Sequence, residues 1–160
     1  MKTRYQQYMA LNKSIVPTPV GYLTVFASDT GIKAIDFADT HPEPSQNEVS
    51  ALAALQLQQY IEGARQHFEL PLDAEGTDFQ ISVWHALLDV KYGEISTYLS
   101  IAKKVGNPLA SRAIGMANGK NPIPIIVPCH RIVGSNGKLT GYAGGLHRKT
   151  YLLDLEAKYS

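Results

Sequence analysis

The sequence predicts an α+β protein in two units. Residues 1–75 form a small N-terminal α/β domain with an antiparallel sheet, and residues 76–160 form a mostly helical C-terminal domain containing a helix-turn-helix. Three observations carry this reading. The first half holds a hairpin pattern followed by one segment of helical period. The second half is dominated by segments of helical period. A polar stretch from Asp73 to Gly76 separates the two. At 160 residues the chain is long enough for two small domains with a real core.

In the first unit, Gly21 to Ser28 is β-rich, with Tyr22, Leu23, Val25 and Phe26. Asp29-Thr30-Gly31 reads as a turn, and Ile32 to Phe37 alternates apolar and polar residues, which completes a hairpin. His41-Pro42-Glu43-Pro44 is a loop. From Val49 to Ile61 the apolar residues recur at helical spacing, with Leu52, Leu55 and Ile61 as the apolar set and Gly63 as the stop. Phe68 to Leu72 reads as a short edge strand. Nothing in this half looks catalytic.

In the second unit, Thr77-Asp78-Phe79-Gln80 has the capping-box form. The helix that follows carries Phe79, Val83, Trp84, Leu87 and Leu88 as one apolar stripe, with Trp84 in the core, and Lys91 to Glu94 ends it. Two short helices come next. Thr97 caps the first, whose inner face is Ile101, Ala102 and Val105, and Gly106 stops it. Asn107 caps the second, with Pro108 at the first helical position, and this helix runs from about Leu109 to Asn118. The pair is a helix-turn-helix candidate, although a plain helical hairpin fits the same spacing. The last helix, about Leu146 to Lys158, has Tyr151, Leu152, Leu155 and Tyr159 on one side.

Composition narrows the chemistry. The hydrophobic share of 44% is that of a globular protein, and no apolar run approaches a membrane span. The N-terminus lacks the apolar segment of an export signal, so a cytoplasmic protein with no membrane partner is expected. One cysteine excludes an internal disulfide and is a poor start for a metal site, and the five histidines show no zinc spacing; neither metal nor cofactor is expected. The segment Gly115 to Asn121 imitates a phosphate loop, but it has three residues between its glycines and Asn where Ser or Thr should hold magnesium. The net charge of +1 divides unevenly. Residues 1–75 carry 5 Lys/Arg against 9 Asp/Glu, a net −4, while residues 76–160 carry 10 against 5, a net +5. The second half therefore suits a polyanionic partner.

The lone Cys129 stands in Pro128-Cys129-His130-Arg131, after the stiff apolar run Ile123 to Val127. It is either a small buried hydrophobe or a nucleophile, and its surroundings favour the nucleophile. His130 can accept its proton directly or through one water, and Arg131 adds positive charge that favours thiolate. Glu156 lies one turn beyond Leu152 and borders the apolar face, where a carboxylate is costly without a partner; His130 would be a suitable one. Tyr142, in the glycine-rich run Gly141 to Gly145, offers a flat wall to an aromatic guest. On the second short helix, Ala110, Ser111, Arg112 and Gly115 make a small-residue face with one Arg able to reach into a groove. Lys103, Lys104 and Lys120 are placed to neutralise phosphates.

The string Asn121 to Ile132 together with Gly141-Tyr142-Ala143-Gly144-Gly145 closely resembles the O6-alkylguanine-DNA alkyltransferases. The likeness extends from Phe79-Gln80 and Val83-Trp84, through Gly93 to Tyr98 and Ser111 to Gly115, to Leu152-Leu153 and Glu156, about the last 80 residues. The first half matches only in length and strand–helix pattern, and the resemblance implies a ribonuclease H-like fold there. The resemblance further implies single-turnover direct reversal of DNA damage. An alkyl group would pass from O6 of guanine, with O4 of thymine a second candidate, to Cys129 after the base is flipped out of duplex DNA. His130 would deprotonate Cys129 through a water, oriented by Glu156. Tyr98 would hydrogen-bond the base, Asn121 would hold the active-site turn, and Arg112 would fill the gap in the duplex. Tyr142, Arg131 and the backbone at Ala143, Cys129 and Ile132 would line the guanine pocket. The helix-turn-helix would bind the minor groove, and a monomer without metal or cofactor is implied.

Three other readings fit parts of the pattern. A non-catalytic lesion sensor on the same scaffold would lack the cysteine. A cysteine hydrolase using Cys129, His130 and Glu156 would leave the helix-turn-helix and the basic half idle. A DNA-binding regulator would use Cys129 only structurally.

Overall fold

The computed structural model describes residues 4–160, which fall into two compact units dividing between Ala74 and Glu75. In the first, strands β1 (Asn12–Thr18), β2 (Gly21–Ala27) and β3 (Ile32–Ala38) form an antiparallel meander, with Ile15 opposite Thr24 and Val25 opposite Ile35. Strand β1 was not legible in the sequence. The central strand β2 is buried from Leu23 to Ala27 on both faces, so its residues do not alternate. One reason is visible at Phe26, whose ring stacks on Tyr5 with centroids 6.0 Å apart and also meets Tyr8.

Helix α1 (Glu48–Ile61) begins in a capping box between Asn47 and Ser50. Its buried residues are Ser50, Ala53, Gln56, Leu57 and Tyr60, not the expected stripe, and Leu52 and Leu55 are exposed. The inner face is polar for a reason. The Ser50 hydroxyl bonds that of Ser14 at 2.8 Å, and Gln56 clamps the backbone of Glu69 from both sides. Gly63 follows the helix in the left-handed region, as the stop requires. The expected edge strand near Phe68 reduces to a single bridge from Leu72 to Ile32.

The second unit opens with helix α2 (Asp78–Leu88), where Thr77 and Gln80 make the reciprocal capping box. Val83, Trp84 and Leu87 face inward, whereas Phe79 and Leu88 of the expected stripe are exposed. Trp84 donates its indole N–H to the Ala117 carbonyl at 2.9 Å, which ties α2 to the later helix α4 (Ser111–Gly119). Gly76 lies so close to the Trp84 ring that any Cβ would fall 2.5 Å from it.

Strand β4 (Ser96–Thr97) leads directly into α3 (Tyr98–Lys104), capped by Thr97. Gly106, at φ +84°, turns the chain. The expected start of the second helix is corrected here. Asn107 does not cap it; residues 107–110 form a separate turn, closed by the Ala110 N–H on the Asn107 carbonyl, and α4 begins at Ser111 without a side-chain cap. The two helices joined by this turn fit the expected helix-turn-helix. A 3-10 turn, Cys129–Arg131, runs into β5 (Ile132–Val133), which pairs in parallel with β4. Helix α5 (Leu146–Tyr159) completes the unit, with Leu152 and Leu155 buried and Tyr159 exposed. No helix among the described residues is long and apolar enough to cross a membrane.

The Thr77 cap is testable because the single tryptophan reports on the unit it caps. Thr77→Ala is expected to lower the stability read by Trp84 fluorescence in urea by about 1 kcal/mol, with the slope of the transition unchanged.

Candidate active site

Every residue from Asn121 to Val133 is buried. An irregular buried segment must find partners for its backbone polar groups, and two asparagines supply several. Asn121 donates to the Val127 carbonyl at 2.8 Å and accepts from the Ile123 N–H at 3.0 Å. Asn118, on α4, donates to the Cys129 carbonyl at 3.3 Å. Three prolines stiffen the run. Ile125 has φ 73°, a conformation that a β-branched residue adopts only when its surroundings impose it. The chain is thus held in a fixed path up to the thiol.

Cys129 opens the 3-10 turn and is 5% exposed. His130 and Arg131 both turn into the interior toward α5. The His130 Nε2 lies 2.7 Å from Glu156 Oε2. Its Nδ1 is buried and has no hydrogen-bond partner among the described residues. With Nε2 donating to the carboxylate, Nδ1 carries the lone pair and can accept a proton.

Glu156 is 1% exposed and collects four donors. Arg131 grips it with Nε at 2.8 Å and Nη2 at 2.9 Å, His130 supplies the third contact, and the Gly93 N–H the fourth at 3.2 Å. The remaining Arg131 nitrogen donates to the Val90 carbonyl at 2.6 Å, and the guanidinium lies over the Tyr92 ring. A buried carboxylate is tolerable when its lone pairs are filled in this way. The positive charge that Arg131 is expected to add beside the thiol is matched by Glu156. Burial holds the His130 imidazole below the usual histidine range, against the upward pull of Glu156, with Arg131 and Lys149 adding to the downward side. Burial and the Glu156 charge raise the Tyr92 phenol.

The other residues singled out in the sequence divide by position. Tyr98, at the start of α3, bonds its hydroxyl to that of Thr140, and its ring lies alongside Gly115 of α4. Tyr142 is half-buried and Ala143 exposed in a loop shaped by the Gly145 N–H on the Tyr142 carbonyl and by Arg148 on the Gly144 carbonyl. Arg112 is exposed on α4 and Lys120 exposed at its C-cap, Ser111 and Gly115 are half-buried on the helix, and Ala110 is half-buried just before it. Lys104 is exposed and pairs with Asp89 at 3.3 Å. Ile132 is buried, and its carbonyl accepts from Lys149 Nζ. No group of three His, Cys, Asp or Glu side chains that could hold a metal is found among the described residues.

Three participants were missed in the sequence: Asn118, Thr140 and Lys149. Lys149 had a signal, since it lies three residues before Leu152 and seven before Glu156 on the buried face of α5.

A single buried thiol, followed in the chain by a histidine that contacts a buried glutamate, points to a small class of proteins. Residues 78–158 match the family model of the 6-O-methylguanine DNA methyltransferase DNA binding domain, and residues 11–74 match that family's ribonuclease-like domain. The chain belongs to the 6-O-methylguanine DNA methyltransferase family. It is 45% identical to the methylated-DNA–protein-cysteine methyltransferase of Methanosarcina acetivorans, across 89% of this chain and 96% of that protein. It is 44% identical to its counterpart in Mycolicibacterium paratuberculosis, across 91% and 92%. The crystal structure of Mycobacterium tuberculosis OGT in complex with DNA matches with a TM-score of 0.85 at 42% identity, across 94% of this chain and 95% of that one.

Two outcomes follow from the buried cluster. Glu156→Ala leaves Arg131 buried without its carboxylate and is expected to cost about 3–5 kcal/mol in urea unfolding followed by Trp84. The unfolded chain protonates histidine near pH 6.5, whereas folded His130 does so only at lower pH. Between those two values the unfolded state holds more protons, and stability present at neutral pH is lost as pH falls through this window. His130→Gln is expected to flatten that decline, which has a limiting slope of about 1.4 kcal/mol per pH unit for one group.

Proposed function

We propose that the protein repairs DNA by direct reversal, moving an alkyl group from O6 of guanine in duplex DNA to Cys129 in a single turnover. The observation that carries this is the His130–Glu156 contact, buried immediately behind the chain's only cysteine. Family membership supplies the reaction class, and relatives at this identity bear the name methylated-DNA–protein-cysteine methyltransferase.

The roles follow from chemistry. Nδ1 of His130, through one water, takes the thiol proton, and Glu156 holds the imidazole in the tautomer that leaves Nδ1 basic. The sulfur then attacks the alkyl carbon in line. The S–C bond forms, the O6–C bond breaks, and the electron pair passes into the guanine ring, where the Tyr98 hydroxyl hydrogen-bonds the developing charge. The product thioether has no route back to thiol, so each protein molecule acts once. Asn121 holds the thiol's turn in place, and Tyr142 with the backbone at Ala143, Cys129 and Ile132 receives the base.

A base inside the stack has to be extruded first, at a cost of a few kcal/mol. Arg112 enters the duplex from α4 in the minor groove, with Ala110, Ser111 and Gly115 allowing close approach, while Lys120 and Lys104 meet phosphates. The protein acts as a monomer in the cytoplasm, with DNA as its partner.

Intact-mass measurement after incubation with duplex DNA containing O6-methylguanine tests the reading. A gain of one methylene on Cys129 is expected, at no more than one per protein, and none in Cys129→Ala. Arg112→Ala is expected to transfer more slowly while its thiol reacts normally with a small electrophile. Repair of several bases per molecule, or recovery of unaltered protein after repair, contradicts it.

A further inference from the structure

Helix α4 exposes a large apolar side chain on the face where the proposed function uses only small and charged ones. Its inner face is fixed, with Ile114, Ala117 and Asn118 buried and the Ala117 carbonyl held by the Trp84 indole at 2.9 Å. The helical period then sets the outer face. Arg112, Ala113, Met116 and Gly119 are exposed on it, and Lys120 follows at the C-cap. Met116 stands one turn beyond Arg112 and one turn before Lys120. Gly115, expected on that face, turns instead toward α3, where an added Cβ would stand 3.7 Å from the Tyr98 ring.

Met116 is 63% exposed, and Leu109, in the 107–110 turn, is 95% exposed. They are the two most exposed large apolar side chains among the described residues. A single exposed apolar residue needs no explanation. Two of them within eight residues, one on each side of Arg112, make a row of apolar, cationic and apolar side chains.

The charge around the row narrows its occupant. From Ile95 to Leu153 the sequence holds eight Lys or Arg and no Asp or Glu. Such a surface takes a polyanion. Duplex DNA offers what the whole row needs, because phosphates rim its minor groove while sugars and base edges wall it. Leucine and methionine are among the side chains that minor-groove proteins wedge against base steps, and the unbranched thioether of methionine adapts to an irregular wall.

We infer that Leu109 and Met116 are apolar contacts to the minor groove on either side of Arg112, packing on its sugar walls and on the base edges laid open where a nucleotide is extruded. The inference rests on α4 being the helix that meets the duplex. Arg112 and Lys120 attract the phosphates, and salt screens that attraction. The two apolar side chains add affinity through area removed from water, and they shield from water the gap that Arg112 enters.

The test measures binding of undamaged duplex DNA at several salt concentrations by the full chain and by Leu109→Gln, Met116→Gln and Lys120→Ala. Glutamine is close to either side chain in size and to methionine in helix propensity, and it removes the apolar character. Each glutamine variant is expected to bind duplex about fivefold more weakly. The slope of log affinity against log salt is expected to stay the same in both, because that slope counts phosphates. In Lys120→Ala the slope is expected to become shallower by about one. On single-stranded DNA of the same length, which has no groove, the glutamine variants are expected to lose nothing. Leu55→Gln, at an exposed position of α1 in the acidic unit, is expected to bind as the unsubstituted protein does. Unchanged duplex affinity in Leu109→Gln or in Met116→Gln overturns the proposal and leaves the row to a partner other than DNA. An equal loss on single strands, or an equal loss in Leu55→Gln, also overturns it. An inert Met116→Gln beside an effective Lys120→Ala overturns this inference alone, whereas three inert variants would remove α4 from the duplex altogether. No alkyl group moves in these measurements, so failure of the repair chemistry would show separately, in the mass experiment.

Discussion

The site depends on one carboxylate kept out of water. Glu156 is buried on the last helix and would be prohibitively costly there alone; Arg131, His130 and the Gly93 N–H make it tolerable. Those partners come from the turn that holds the thiol and from the 91–94 turn. One charged contact therefore pins helix α5 to the residue next to Cys129 and sets the orientation of the imidazole. The same arrangement matches the Arg131 charge with the carboxylate.

The nucleophile also needs a rigid approach. Thirteen consecutive buried residues, Asn121 to Val133, carry little regular secondary structure, so their backbone groups rely on side chains and short turns. Asn121 fills that need from the start of the segment and Asn118 from α4. Ile125 in the left-handed region shows that the path is imposed against local preference. The short β4–β5 ladder joins the cap of α3 to the exit of the thiol's turn. It links the helix bearing Tyr98 to the residue beside Arg131.

Much of this was legible in the sequence because it is local. The Thr77–Gln80 capping box, the Thr97 cap and the glycine stops are decided within four residues, and all occur. The Glu156–His130 pairing could be read because a carboxylate on a helix's apolar face demands a partner. What stayed hidden depends on tertiary contacts. Leu52 and Leu55 look like a core face, yet α1 turns its serine and glutamine inward to bond Ser14 and Glu69, which no helical period reveals. Asn107 has the chemistry of a cap, but the turn it starts closes on Ala110 before the helix begins. Lys149 was overlooked because a lysine on a helix is usually solvated, although its spacing to Leu152 and Glu156 placed it on the buried face.

The central claim is that Glu156 acts on the sulfur through His130. A double-mutant cycle on single-turnover methyl transfer addresses it most directly, using His130→Gln, Glu156→Gln and the pair. If the two residues form one relay, either substitution slows transfer and the double variant is scarcely slower than His130→Gln alone. Multiplicative losses would show that they act independently and would contradict the account.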